Sequence, residues 1–354
     1  MPKIKTDYVS NIRLKKIANN KTINKYEEIG NLRNADKMNS CFIAFHLENY
    51  KHKTQDLQKS KSKPFATCKN KFCHICSYIK SKKTFVKSYL ALEKMKADNI
   101  DFIGYHLTLT IKNPLKADLA IDYIKMNKAF KNFMLHFEDL KQYLVGWQCG
   151  REVSQSEEAK KRGEFHPHIH CLLLLKPEFT NPITRNNKIT QVEFKNKWTK
   201  ACAYYGVEAY QIRFKKIKAK SDFINLYDEE KEIDPFLSAI SEVAKYPAKP
   251  SDIQKMSSED FEILDSFLYK KRMFSSGGLL KEYLKKDVEN ENLHIDNYEL
   301  INILYCQFNK KNKFDSFELS EEQQKKYLEN IEFEKMLNEI TKRTKNFIKE
   351  QSKF

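Results

Sequence analysis

Apolar residues alternate with polar ones from Phe102 to Lys112 (FIGYHLTLTIK) until Asn113-Pro114 stops the run, which predicts a β-strand. Leu144 to Ser154 (LVGWQCGREVS) predicts another strand. Phe165 to Leu175 (FHPHIHCLLLL) opens on alternating histidines and passes into an uninterrupted apolar run, as a strand entering a core does. Steps of three and four through Leu119, Tyr123, Met126, Phe130, Phe133, Met134 and Phe137 predict an amphipathic helix whose aromatics are core. Further helices are expected over Thr84 to Lys96, over Val192 to Tyr205, and from Pro235, where Asp234 is a good N-cap and Phe236, Leu237, Ile240, Val243 and Ala244 give the buried face. Gln211 to Ile217 reads as a strand with basic edges, and Tyr269 to Tyr283 (YKKRMFSSGGLLKEY) as a closing strand with a Gly277-Gly278 turn. Ser320 and Gln323 form a capping box before a C-terminal amphipathic helix through Leu328, Ile331, Met336, Leu337, Ile340, Phe347 and Ile348. The first 35 residues are polar and basic, relieved only by Ile12, Leu14 and Ile17. They predict a helix or a loosely attached arm, and no chemistry is read there.

The histidine strand carries the first candidate chemistry. His166, His168 and His170 stand at every second position, so all three imidazoles share one face. Imidazole is the commonest protein ligand of metal ions, and several on one face at the mouth of a buried strand can hold a divalent cation. Nine histidines in the whole chain make three within five positions more than chance. The polar connection SQSEEAKKRGE makes the strands on either side of it neighbours, and Glu152 is then placed to complete a site with His168 and His170.

A second cluster is formed by Cys68, Cys73 and Cys76 in TCKNKFCHIC. Three thiols within nine residues, the last two spaced C-x-x-C, begin a tetrahedral zinc site. Cys41 is the expected fourth ligand, with His74 as the alternative. Eight lysines and no carboxylate between Lys59 and Lys83 add a basic patch that suits a phosphate backbone.

On the segment after Asp234, Glu242 and Tyr246 are four residues apart, one above the other on a helix, with Lys245 and Lys249 beside them. A tyrosine hydroxyl is a weak nucleophile because its pKa is about 10. Beside a divalent cation that polarises a phosphodiester, and with lysines to stabilise developing charge, it can attack phosphorus, and a nearby carboxylate can activate water for a second attack. Pro247 directly after Tyr246 disfavours helical backbone there, so the helix is expected to end at Lys245 or Tyr246.

Charge narrows the partner. With 64 Lys+Arg against 47 Asp+Glu, the net charge of +17 points to nucleic acid before any small molecule. Aromatics make up 12% of the chain, and where interleaved with lysines they could stack on unpaired bases, although most belong to the core. There is no run of about 18 apolar residues and no apolar signal region at the N-terminus, so a soluble, cytoplasmic protein with no membrane partner is expected. Eight scattered cysteines are too few for a disulfide framework in 354 residues.

Together these motifs resemble a known family. HPHIH is similar to the two histidines separated by a bulky apolar residue in HUH endonucleases, LTLTIKN (Leu107 to Asn113) resembles the strand that precedes it there, and EVAKY (Glu242 to Tyr246) resembles their tyrosine motif. With CKNKFCHIC and YKKRMFSSGGLLKEY, the combination from Cys41 to Tyr283 is most similar to the replication initiator proteins of rolling-circle plasmids from low-GC Gram-positive bacteria.

The resemblance implies an α+β fold, an HUH-endonuclease-like central antiparallel sheet flanked by helices, with an N-terminal cysteine-rich, zinc-knuckle-like element and a C-terminal helical segment. It implies metal-dependent nicking of plasmid origin DNA, in single-stranded or extruded form, through a covalent 5′-phosphotyrosine, with strand transfer at termination. By position, His168 and His170 would hold Mg²⁺ or Mn²⁺, Tyr246 would be the nucleophile and Glu242 would activate water. Glu152 as third ligand is a geometric inference, and His166 stands where the family often has another polar residue. Host helicase and DNA polymerase are expected partners, since no nucleotide-hydrolysing loop is present, and homo-oligomerisation is compatible with the family. Expected domains are a basic arm (1–37), a cysteine-rich zinc-binding, DNA-contacting element (38–83), the nicking and strand-transfer domain (84–285) and a helical extension (286–354). The competing readings are an HUH relaxase or transposase, a non-catalytic zinc-dependent DNA-binding regulator, and a hydrolase of small phosphoesters.

Overall fold

The computed structural model describes residues 4–54, 58–181, 183, 186–217, 235–244, 250–286, 298–309 and 311–332. Two compact units are present: residues 1–17, 40–67 and 293–354 form one, and residues 18–39 and 68–292 form the other.

The larger unit is built on a five-stranded antiparallel sheet of β3 (Ile103–Ile111), β4 (Leu144–Ser154), β5 (His166–Leu175), β6 (Ala209–Lys216) and β7 (Phe274–Gly277), in the order β6-β3-β5-β4-β7. The strands expected over Phe102 to Lys112, Leu144 to Ser154, Phe165 to Leu175 and Gln211 to Ile217 are present within two residues of their bounds. Tyr269 to Tyr283, expected as a closing strand, is a strand only over Phe274–Gly277 and passes at Gly278 into a helix. β5 lies at the centre because its apolar run needs cover on both faces, and Ile169 and Cys171 to Leu175 are completely buried.

One face of this sheet is covered by α4 (Leu119–His136) and α7 (Gln191–Tyr204). Here Phe194 stacks on Phe214 at 4.1 Å, Tyr105 stacks on Phe214 at 4.7 Å, and the Trp198 indole donates to the Thr110 carbonyl at 3.0 Å. Thr190 and Glu193 close a capping box that starts α7. The other face packs Leu172 and Leu174 against α3 (His74–Ala97), α8 (Pro235–Val243) and α11 (Gly278–Lys286) through Leu92, Met95, Ile240, Val243 and Leu280. Truncating one of these buried leucines to alanine costs about 2–5 kcal/mol. Gly278, at φ +62°, turns the chain from β7 directly into α11, where a Cβ would meet the backbone of Gly146.

The smaller unit has a four-stranded antiparallel sheet of β1 (Ala44–His52), β2 (Gln58–Pro64), β8 (Tyr298–Phe308) and β9 (Phe314–Glu318), in the order β2-β1-β8-β9. Residues 321–332 are helical, and Ser320 and Gln323 bond reciprocally at its start as the capping box requires.

Two further sequence expectations change. Residues 286–354, expected to be a helical extension, contain strands β8 and β9. Met336, Leu337, Ile340, Phe347 and Ile348 lie outside the described residues. The N-terminal stretch, expected as a helix or a loosely attached arm, takes the helical alternative: α1 (Ile4–Glu28) and α2 (Leu32–Asn39) are helices, with Ile12, Ile23 and Tyr26 buried. The helix expected from Thr84 begins ten residues earlier, within the cysteine cluster, as α3. Among the described residues, no helix is long and apolar enough to cross a membrane.

Candidate metal centres and the histidine face

Pairing of β4 with β5 sets Glu152 directly opposite His168, and Gly150 opposite His170. Directly paired residues point to the same face of a sheet. The Glu152 carboxylate, only 2% exposed, therefore meets both rings: its Oε2 lies 3.2 Å from His168 Nε2 and 3.6 Å from His170 Nε2. One ligand atom from each residue falls within 4.8 Å of the other two. A buried carboxylate with two imidazoles is a donor set that suits a divalent cation, and three protein ligands leave coordination positions open.

His166 shares the face but stands apart from this trio. Its Nδ1 is 2.7 Å from Asn113 Oδ1, at the Asn-Pro stop that ends β3. On the other side His106 of β3 lies parallel to His170, with ring centroids 5.5 Å apart. Neither Asn113 nor His106 was assigned a role from the sequence. The alternation of HLTLT, which sets His106, Thr108 and Thr110 on one face, was the signal available for His106.

Helix α8 ends above this site. A Cβ on Gly150 would run into the Val243 carbonyl oxygen, so glycine is what lets the helix end approach the strand. Beyond it, the Ser81 hydroxyl of α3 donates to the Ala244 carbonyl at 2.6 Å. The helix is described to Val243, and Ala244 follows in a turn. Glu242 is on its last turn, partly buried. Lys245, Tyr246 and Lys249 lie outside the described residues.

The cysteines are held differently. Cys68 and Cys76 bring their sulfurs to 3.6 Å, and those of Cys68, Cys73 and Cys76 all lie within 4.8 Å of one another. Two sulfurs bound 2.3 Å from one tetrahedral zinc stand about 3.8 Å apart, so the spacing fits that ion. Cys73 caps α3, its sulfur accepting from the Cys76 backbone N–H. Asn19 of α1 secures this end twice, donating to Cys73 Sγ at 3.3 Å and accepting from the His74 N–H at 2.8 Å. Nothing in the sequence marked Asn19. Asn70 donates to the Tyr26 hydroxyl at 2.8 Å, which donates to Asp265 at 2.6 Å. Burial first, and then Asp265, push that phenol far above its ordinary pKa. The Lys71 ammonium bonds the carbonyls of Leu268 and Lys271, and burial, helped by Lys80 and Lys271, brings its pKa down to about 8. Cys41 is buried and belongs to the smaller unit, where its carbonyl accepts from Lys16 Nζ at 2.7 Å. His74, the alternative ligand, is not among the grouped donors.

Comparison with known proteins gives a consistent result. A family model described as "Replication protein" matches residues 59–328. "Protein rep" of Streptococcus pneumoniae serotype 2 is 28% identical over 233 residues, 64% of this chain and 66% of that protein. "Protein rep" of Bacillus amyloliquefaciens is 26% identical over 226 residues, 62% of this chain and 64% of that protein. A "Replication protein" of Staphylococcus aureus is 29% identical over 226 residues, 60% of this chain and 83% of that protein. The chain thus spans just under two thirds of the length of the first two relatives. No solved structure matches it.

Proposed function

The chain belongs to the replication-protein family, and from that membership we propose that it initiates rolling-circle replication of a plasmid, nicking one strand of the origin and keeping the 5′ end as a phosphotyrosine on Tyr246. The observation that carries this reading is the meeting of the Glu152, His168 and His170 donors with the end of α8, seated over Gly150 opposite His170. Tyr246 follows two residues after Ala244, a reach of at most about 7 Å. We read the five-stranded sheet accordingly as an HUH-type nuclease sheet, with the histidine pair on its central strand.

Glu152, His168 and His170 would hold Mg²⁺ or Mn²⁺, which would supply positive charge to polarise the scissile phosphodiester. The Tyr246 oxygen attacks phosphorus, forming a new P–O bond and giving up its phenolic proton. The 3′ oxygen leaves, takes up a proton and becomes the primer end. Lys245 and Lys249 stabilise charge on the phosphoryl oxygens. Glu242 accepts a proton from the water that ends the round. Cys68, Cys73 and Cys76 would hold Zn²⁺ as a structural element. Strand opening and synthesis fall to a host helicase and polymerase.

The test is incubation with a labelled single-stranded origin oligonucleotide and Mn²⁺, followed by denaturing electrophoresis. A protein-linked DNA band is expected, and Tyr246→Phe abolishes it. Cleavage without that band makes water the nucleophile and overturns the mechanism. Binding without cleavage makes the protein a regulator, and preference for a transfer origin makes it a relaxase.

A further inference from the structure

The four-stranded sheet of the smaller unit carries a row of aromatic rings on one face. His46 of β1 is opposite Tyr305 of β8, and Tyr305 is opposite Phe317 of β9. Their ring centroids are 5.8 Å and 4.9 Å apart. Phe65, just past β2, lies 4.9 Å from His46 and 5.8 Å from Tyr305. This is not where the sheet keeps its core. Phe45, Leu47 and Cys306 on the opposite face are fully buried or nearly so, whereas Phe65 and Phe317 are 62% and 56% exposed. Tyr327 of the helix at 321–332 touches His46 at 4.5 Å and donates to the buried Glu48 at 2.8 Å, yet both outer phenylalanines stay in solvent.

Edge strand β2 adds cations to the same face. It reads QKSKSKP, and Lys61 and Lys63 occupy the register positions opposite Glu48 and His46, with Ser62 between them. Lys61 is exposed, and Lys63 reaches Glu48 at 3.5 Å and the Tyr327 ring at 5.5 Å. Lysines protect an edge strand from pairing with another chain, which accounts for their presence. It does not account for exposed phenyl rings beside them.

Accessible ring faces next to a row of ammonium groups fit a ligand that has flat apolar faces and regularly spaced negative charge. Unpaired nucleotides have both, while duplex DNA keeps its base faces stacked on one another. We propose that this face binds single-stranded DNA without regard to sequence, the bases stacking on Phe65, Tyr305 and Phe317 and the backbone running along the β2 lysines. The surface lies in the smaller unit and depends on neither the nicking residues nor the cation.

The experiment uses the full chain and a fluorescein-labelled oligothymidylate of about twelve nucleotides, read by fluorescence anisotropy without added divalent cation. Phe65→Ala/Phe317→Ala is expected to bind about tenfold more weakly or worse. Lys61→Ala is expected to flatten the slope of log affinity against log salt by about 0.7. Should the double alanine variant melt lower than wild type, Phe65→Leu/Phe317→Leu keeps apolar bulk without the flat face and is expected to show the same loss. Photocrosslinking to bromodeoxyuridine-substituted DNA is expected to label residues 59–67 and 303–318. Affinities within twofold of wild type in the phenylalanine variants, an equal loss for a matched duplex, or crosslinks only elsewhere would each overturn the proposal. Failure of the nicking reading is seen separately, as a wild-type protein that gives no covalent band while the anisotropy signal persists.

Discussion

The carboxylate–histidine group and the cysteine group lie in the same compact unit, but different kinds of backbone hold them. Glu152, His168 and His170 sit on paired central strands, where backbone hydrogen bonds fix their positions before any ion arrives. Cys68 lies in a loop, and Cys73 and Cys76 lie at the start of α3, tied down by Asn19 reaching in from α1 and by Lys71 of the loop itself reaching out to the Leu268 and Lys271 carbonyls. A set of three ligands on a rigid sheet leaves room for a substrate atom, as chemistry requires. A thiolate set on a loop gains order from its ion, as a structural site does.

The largest effect that tests this contrast is on the sheet. His168→Ala or His170→Ala is expected to lower metal-dependent cleavage by at least about a hundredfold, with the melting temperature and the zinc content by elemental analysis unchanged. The reciprocal change, Cys73→Ser, is expected to release zinc and lower the melting temperature by about 10 °C, while the protein that remains folded still binds Mn²⁺. If the cysteine variant lost Mn²⁺ affinity without melting earlier, the division between chemical and structural sites would collapse.

Two smaller effects sharpen the picture. Gly150→Ala forces α8 away from the strand and is expected to cost about 1–3 kcal/mol, seen in urea unfolding, and to slow covalent adduct formation more than it weakens Mn²⁺ binding. His166→Ala is expected to change Mn²⁺ affinity by less than about threefold, because its ring is engaged with Asn113. A loss as large as that of His168→Ala would place His166 in the ligand set after all.

The β4–β5 hairpin could be read directly from the sequence, because an alternating strand, a short polar connection and a second strand leave little choice of pairing. Strand order then fixed which face Glu152 shares. The smaller sheet could not be read in this way. β2 has no apolar alternation at all, since QKSKSKP is an edge strand whose partner supplies the burial, and β8 lies more than 200 residues from the β1 strand it pairs with. The start of α3 was obscured by its basic, serine-rich first turns, and Asn19 by its place in a polar helix whose partner is distant in sequence. Gly150 was invisible for the opposite reason: its role is the space it leaves, and only the approach of α8 reveals that.

The hairpin also bears on how the molecule assembles. All three candidate ligands come from a single antiparallel pair closed by one short connection, so the entropy lost in bringing them together is small compared with that of joining β1 to β8. Pairings of low sequence separation form fast. On a chain emerging from the ribosome, the whole ligand set is out once Leu175 has cleared the exit, well before β6, β7 or α8 exists to cover it. The candidate ligand set is thus encoded as a local event, and the long-range pairings finish the surface around it.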